Sequence, residues 1–415
     1  MIPLRVLLVC DRFWPIVDFD ALPLEQMSRA LSRRGHLLRV LTRSWHKYWS
    51  PTLRIGDLDL VRLPYSARSR FGNARLVRHL SQWLESHREE FDLLVIDPLC
   101  EWSAPAVQFA ARHEVPICLW QVSVANPATW SAAWTKLRRS VSAISPHAYW
   151  IVPEAARADQ IRAAGGDPQR VIVLGPSIDC SPDAEVSRAV ARSALADNHP
   201  TLLVDPSEPL VVSLGFWNAA PGVIELVDAW HWVRQAFPCS KLWLIGSGIE
   251  IHKIADHVRL RQLSNEVIMA GCFDDLNDVL RAADLLIQTD ASVAPPFATL
   301  AAMRHGLPVL ANTSGRSAND WLRDGENGFA YSPGEPQQLA HRVIDLLEQL
   351  AAREAVADSA YRIVLQQYDL EPMALRLEQL GRDLVEHREK VQSCRLDSYT
   401  CSPTLSHLDR ANKQP

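Results

Sequence analysis

Short apolar runs alternate along this chain with stretches in which apolar residues recur every three or four positions. A parallel sheet covered by helices on both faces is written this way. Its strands are buried on both sides and lose the polar alternation of a half-exposed strand. Runs at 5–10, 38–41, 58–63, 93–96, 117–120, 149–152 and 171–174 predict the strands of a first sheet. Runs at 210–214, 241–245, 266–269, 285–288, 309–311 and 328–331 predict those of a second. A helical period over 24–34 stops at Gly35, a residue type that commonly ends helices. Segments 336–350 and 375–385 carry the same period. Residues 180–209 hold four prolines and no sustained period, which predicts a linker with room for a helix over 185–196. Beyond about residue 388 the chain turns polar and aperiodic, the pattern of a disordered tail.

Length agrees with two units, since 415 residues exceed what one core usually supports. The composition, 47% hydrophobic and 22% charged, is that of a globular protein. A net charge of −5 gives no reason to expect a nucleic-acid partner. None of the eight cysteines stands at a Cys-x-x-Cys spacing, and no histidine pair completes a metal site. Several cysteines fall in apolar runs, which predicts buried thiols in a reducing cytoplasm. The apolar run at 6–10 is too short for a signal peptide or a membrane span.

The order of motifs is more specific than the period. The second half carries Gly271-Cys272-Phe273-Asp274-Asp275-Leu276, then Leu280-Arg281-Ala282-Ala283-Asp284. Next comes Phe297-Ala298-Thr299-Leu300-Ala301-Ala302-Met303-Arg304-His305-Gly306-Leu307-Pro308-Val309, then Asp324-Gly325-Glu326-Asn327-Gly328-Phe329. The first half carries Arg5–Cys10 with the loop to Pro15, and Leu31-Ser32-Arg33-Arg34-Gly35-His36 before Leu41-Thr42. Together these resemble a family 4 glycosyltransferase (glycosyl transferases group 1) over roughly residues 4–385. The resemblance implies an α/β chain with the GT-B architecture, two doubly wound Rossmann-like domains facing across a cleft. It implies an acceptor-side domain over 1–179, the linker over 180–209 and a donor-binding domain over 210–361. It further implies helices crossing back to the first domain over 362–387, before a tail over 388–415.

What the resemblance implies for the site is mixed. The glycine after the first strand of the donor domain is kept as Gly215. Gly246 and Gly248 stand where the family has a Gly-x-Gly beside the nucleotide base, and a strand-to-helix turn that needs glycine explains them equally well. Cys272 and Phe273 fall where the family's backbone faces the base. The free amides of Phe297, Ala298 and Thr299 open the donor helix, with Pro296 as its first residue and the Thr299 hydroxyl as a further contact. These eight residues are the candidate donor contacts. Against them stand the replacements. The family's two donor-binding glutamates read Val293 and Ala301, and its arginine and lysine for the leaving diphosphate read Phe216 and Pro221. Asp18 and Asp20 occupy the loop after the first strand, where a diphosphate would approach. Only Asp179 survives of a turn after 171–174, and no histidine follows the run at 117–120. No catalytic residue and no metal ligand is assigned. Arg304 and His305, Arg12, Arg316 and Asp320 are weaker candidates, Arg304 for a relocated phosphate cation or a solvated helix end.

Two compositional features add partners. Trp45, Trp49, Trp102, Trp120, Trp130 and Trp134 crowd the first domain, as core packing or as an acceptor groove. Between Gln26 and Leu84 the chain is rich in arginine, against only Asp57 and Asp59. That predicts either solvated, paired cations or an anionic membrane surface; the expected location is cytoplasmic, and on the second reading peripheral to a membrane. The expected function is sugar transfer from a nucleotide-diphospho-sugar to a glycan, lipid or small acceptor, weakened by the replacements. The alternative is an inactive GT-B scaffold that partners an active glycosyltransferase. A nucleotide-sugar epimerase of the same fold is a third.

Overall fold

A computed structural model describes residues 2–14, 21–65, 72–97, 102–120, 148–163, 166–182, 186–217, 221–273, 275–290, 296–314 and 321–400, the side chains of 216, 221 and 389–400 apart. The first sheet is built from β1 (Arg5–Cys10), β2 (Leu37–Arg43), β3 (Thr52–Ile55), β4 (Leu58–Leu63), β5 (Leu93–Asp97), β6 (Ile117–Trp120), β7 (Ala148–Val152) and β8 (Val171–Val173). The second is built from β9 (Leu210–Phe216), β10 (Lys241–Ser247), β11 (Val267–Gly271), β12 (Leu285–Gln288), β13 (Val309–Asn312) and β14 (Phe329–Tyr331). Their orders are β3-β4-β2-β1-β5-β6-β7-β8 and β11-β10-β9-β12-β13-β14. Each starts at an inner strand, winds one way, then returns and winds the other. This is the doubly wound form. Every pair is parallel except β3–β4, a strand the apolar pattern did not predict because its side chains alternate between exposed and half-buried.

Each sheet is covered on both faces. Val6, Leu8 and Cys10 face one side of β1, while Leu7 and Val9 face the other. The second sheet separates in the same way, with Leu210, Val212 and Leu214 on one face and Val211 on the other. Alternate burial on two cores is what makes these strands read as unbroken apolar runs.

The chain passes between the domains twice, and the two passes are joined. Ile178 N donates to Tyr368 O at 2.8 Å, and Leu370 N to Ile178 O at 2.9 Å. After the second pass the helix Leu370–Thr400 lays Leu370, Ala374, Leu377, Leu380 and Leu384 into the core of the first domain. It continues to Thr400, well past the point where a polar tail was expected. Residues 386–396 lack an apolar stripe but are rich in Glu, Arg, Lys and Gln, which favour helix without needing burial. Residues 180–209 also differ from a plain linker. The helix Arg188–Asn198 buries Ala191 and Leu195 in the second core, beside Leu202 and Val204.

Glu378 anchors the returning helix. It pairs with Arg34 at 2.8 Å and Arg382 at 2.9 Å, and lies 3.5 Å from His36, with its own side chain 5% exposed. Burial alone would raise its pKa, but hydrogen bonds from Arg34, Arg382 and His36 outweigh it and hold the carboxyl at about 2, from an ordinary 4.5. A carboxylate with a depressed folded-state pKa stabilises above its unfolded value and loses that contribution as pH falls. Glu378→Ala should therefore cost about 2 kcal/mol at neutral pH. In urea titrations across pH, its difference from wild type should shrink between pH 4.5 and about 2. A difference constant over that range would place the cost in packing instead.

Candidate functional site

In an open sheet of this order, loops leave in opposite directions where the winding reverses, and a crevice opens outside the carboxyl ends of the strands. In the first sheet that point lies between β1 and β5, where Cys10 is in register with Asp97. Asp11 follows. Arg43 donates Nη2 to its Oδ2 at 2.9 Å and holds Nε 2.8 Å from Oδ1. Trp102 Nε1 donates to Oδ1 at 2.9 Å, and Trp45 Nε1 to the Asp11 carbonyl at 2.9 Å. The Arg43 guanidinium lies 3.8 Å from the Trp45 ring centroid and 4.6 Å from that of Tyr65. With both carboxylate oxygens engaged, Asp11 organises the aromatic residues around it and is poorly placed to act as a base. The apolar pattern gave no sign of this residue; its position just after an inner strand was the available signal.

In the second sheet the reversal falls between β9 and β12. A Cβ on Gly246 would lie 1.8 Å from Gly215 O, and one on Gly248 2.3 Å from Trp217 O. Both glycines have positive φ, 149° and 145°. Trp217 N donates to Ser247 O at 2.7 Å, and its buried indole Nε1 would lie 2.4 Å from a Cβ on Gly215. Close packing of the loop after β9 onto the turn after β10 thus accounts for all three glycines. Sequence reading passed over Trp217, the residue that fills this turn.

The other candidates line the same edge. Cys272 is exposed, and the Phe273 ring stands edge-on to His199 at 5.4 Å. Pro296 is the N-cap of the helix Phe297–Arg304 rather than its first residue, with extended angles and no side-chain cap. The first helical bond runs from Leu300 N to Pro296 O, so the amides of Phe297, Ala298 and Thr299 have no acceptor within the helix. The Thr299 hydroxyl, in the first turn of the helix, is buried without a partner among the described residues.

Phe297 and Ala301 line a small cavity of about 200 Å³ that joins the two domains. Leu22 and Gln26 reach it from the first domain, Ile178, Asp179 and Ser181 from the first crossing, and Asp275 and Leu276 from the loop after β11. Arg304 closes one wall. Its Nε donates to Asp179 O at 2.7 Å and an Nη to Ser181 O, so it serves the crossing chain rather than standing as a solvated helix end. His305 Nε2 lies 2.8 Å from Asn277 Oδ1. Burial would raise Asp179, but hydrogen bonds from Ser181 and Arg33 outweigh it and hold its carboxyl low.

Five arginines of the arginine-rich stretch are paired with acids of this chain. Arg29 pairs with Glu25, Arg33 with Asp179, Arg34 with Glu378, Arg39 with Glu90 and Arg43 with Asp11. Trp102 and Trp120 are buried, and Trp45 is 37% exposed. Cys10 and Cys118 are buried as predicted, and Cys239 is exposed. Val293, Asp18, Asp20, Arg316, Asp320, Trp130 and Trp134, and the side chains of Phe216 and Pro221, lie outside the described residues. Among the described residues no group of His, Cys, Asp or Glu could hold a metal ion, and no helix is long and apolar enough to cross a membrane.

A model of the family described as Glycosyl transferases group 1 matches residues 208–349. The poly(glycerol-phosphate) alpha-glucosyltransferase of Bacillus subtilis is 25% identical over 165 residues, 40% of this chain and 24% of that protein. The lipopolysaccharide core biosynthesis glycosyltransferase LpsE of Rhizobium meliloti is 26% identical over 167 residues, 39% of this chain and 46% of that protein. The match spans less than half the length of either relative. Among solved structures, HepE of Anabaena, in complex with UDP and glucose, superposes with a TM-score of 0.67 at 19% identity, over 91% of this chain and 98% of that one. The two share their fold.

Proposed function

This chain belongs to the group 1 glycosyl transferases, with the GT-B fold, and on that footing we propose that its cleft receives a nucleotide-diphospho-sugar whose sugar passes to a glycan, lipid or small acceptor. The observation that carries the reading is the convergence at one edge. The loop after β11 and the start of the helix Phe297–Arg304, with its free amides, line the cavity that Leu22 and the first crossing close, and the turn after β10 leaves the same sheet at the carboxyl end of a neighbouring strand. Backbone amides at a helix start favour an anion without any side chain. HepE, bound to UDP-glucose in a further structure, supports the ligand class.

A second reading is favoured by Ala301 and Arg304. Ala301 faces the cavity and has no polar side-chain atom for a sugar hydroxyl, while Arg304 is committed to two carbonyls. Both support slow transfer, or a protein that binds donor or a partner glycosyltransferase without turning donor over. Docking on an anionic membrane rests on the cations the ion pairs leave, among them Lys47 beside the 77% exposed Tyr48, and the exposed Arg54, Arg75 and Arg78. Such a surface would give weak, salt-sensitive binding.

Thermal shifts with UDP, GDP and ADP, with and without the hexose, test the ligand class. A nucleotide at a hundred times its Kd should stabilise by about 2.7 kcal/mol. Release of nucleotide from the hexose form then separates the two readings. No shift with any nucleotide at millimolar concentration would contradict donor binding and leave only the scaffold that binds a partner glycosyltransferase.

A further inference from the structure

The outer edge of the first domain, on β2, β3 and β4, carries a groove of about 670 Å³. Its floor is a strip of sheet on which three charges stand in one cross-strand row. Asp59 is in register with Arg39 on one side and with Arg54 on the other. Register partners share a face of the sheet, so the carboxylate lies flanked by two cations. Neither is bonded to it. Arg39 turns away to Glu90, and Arg54 Nε donates to Gly56 O at 3.2 Å. Among the described residues, the Asp59 carboxylate has no hydrogen bond or ion pair.

The opposite wall is aromatic. Trp83 and His87 stack at 4.1 Å with an 8° angle between rings, and His87 Nδ1 is pinned 2.8 Å from the Trp83 carbonyl. Trp83 packs part of its side chain on the core and lines the groove with the rest. Its Nε1–H has no partner among the described residues. Arg39 stands 6.0 Å from its centroid, at the outer limit of a cation–π contact.

We propose that this groove binds a neutral oligosaccharide, apart from the cleft. A pyranose offers apolar C–H faces for an indole and hydroxyls that donate and accept at once. The groove supplies a fixed aromatic surface, an unused carboxylate acceptor, and donors on Arg54, Thr52 and the indole. Its volume suits one or two sugar rings. The charges decide against an anion, because Asp59 and Glu90 balance Arg39 and Arg54. The proposal does not depend on what the cleft binds.

Saturation-transfer NMR and calorimetry on the full chain, with maltohexaose, cellohexaose, mannohexaose and oligogalacturonate, test it. At least one neutral hexasaccharide should bind. Trp83→Ala and the surface pair Arg54→Ala/Asp59→Asn should each weaken it at least tenfold, while Arg75→Ala leaves it unchanged. The surface pair keeps the test valid if Trp83→Ala disturbs the core. No binding of any neutral probe, binding of oligogalacturonate alone, or equal binding by the surface-pair variant would overturn the assignment.

Discussion

Replacing Asp284 with alanine should destabilise the second domain by roughly 3–5 kcal/mol, the cost of leaving a buried charge without its partner. Asp284 stands just before β12. Its Oδ1 accepts from Arg188 at 2.6 Å, and its Oδ2 accepts from Arg192 at 2.9 Å and from Leu210 N at 2.8 Å. The Arg192 side chain is 3% exposed and also donates to Ala282 O and Asp205 O. Burial pushes the Arg192 pKa down, and Asp284 is the main opposing influence. Without the carboxylate a guanidinium stays buried with carbonyls alone, and Leu210 loses an acceptor at the start of β9. Asp284→Asn should fall between wild type and alanine. Urea unfolding monitored by tryptophan emission reads the difference. A loss under about 1 kcal/mol would mean that water reaches the cluster and screens it.

Gly246→Ala should be as severe, and it separates two roles that nucleotide binding alone cannot. The added Cβ would lie 1.8 Å from Gly215 O, a backbone atom, at a φ of 149° that L-residues rarely adopt. The neighbouring strand must move, and β9–β10 pairing runs through Gly246 and Gly215. A packing role predicts a lower melting temperature in the absence of any ligand. A variant with wild-type stability that has lost nucleotide binding would assign Gly246 to the ligand instead.

The fold was legible because each core strand is buried on both faces, and the runs at 58–63, 117–120 and 285–288 match the observed strands residue for residue. β3 was not, because a half-exposed edge strand has no apolar run. The helix Arg188–Asn198 was blurred by the prolines around it, and its hold on the domain comes from Asp284, ninety-two residues beyond Arg192. Chain order singled out Phe297 and Ala301, and both line the cavity between the domains. Partnerships were not. Arg304 is a loose cation in sequence, and only the crossing chain shows that its donors are taken. Asp11 needed three distant residues, Arg43, Trp45 and Trp102, brought together before its role could be seen.

Hydrogen exchange on the full chain, with and without millimolar UDP-, GDP- and ADP-hexoses, tests the central claim most directly. A donor held in the cleft by backbone groups should slow exchange at Gly246–Gly248, Cys272–Phe273 and Phe297–Thr299 together, with at least one of the three donors. Exchange unchanged at all three segments, or protection confined to surfaces away from the cleft, would contradict a nucleotide-sugar site between the two sheets.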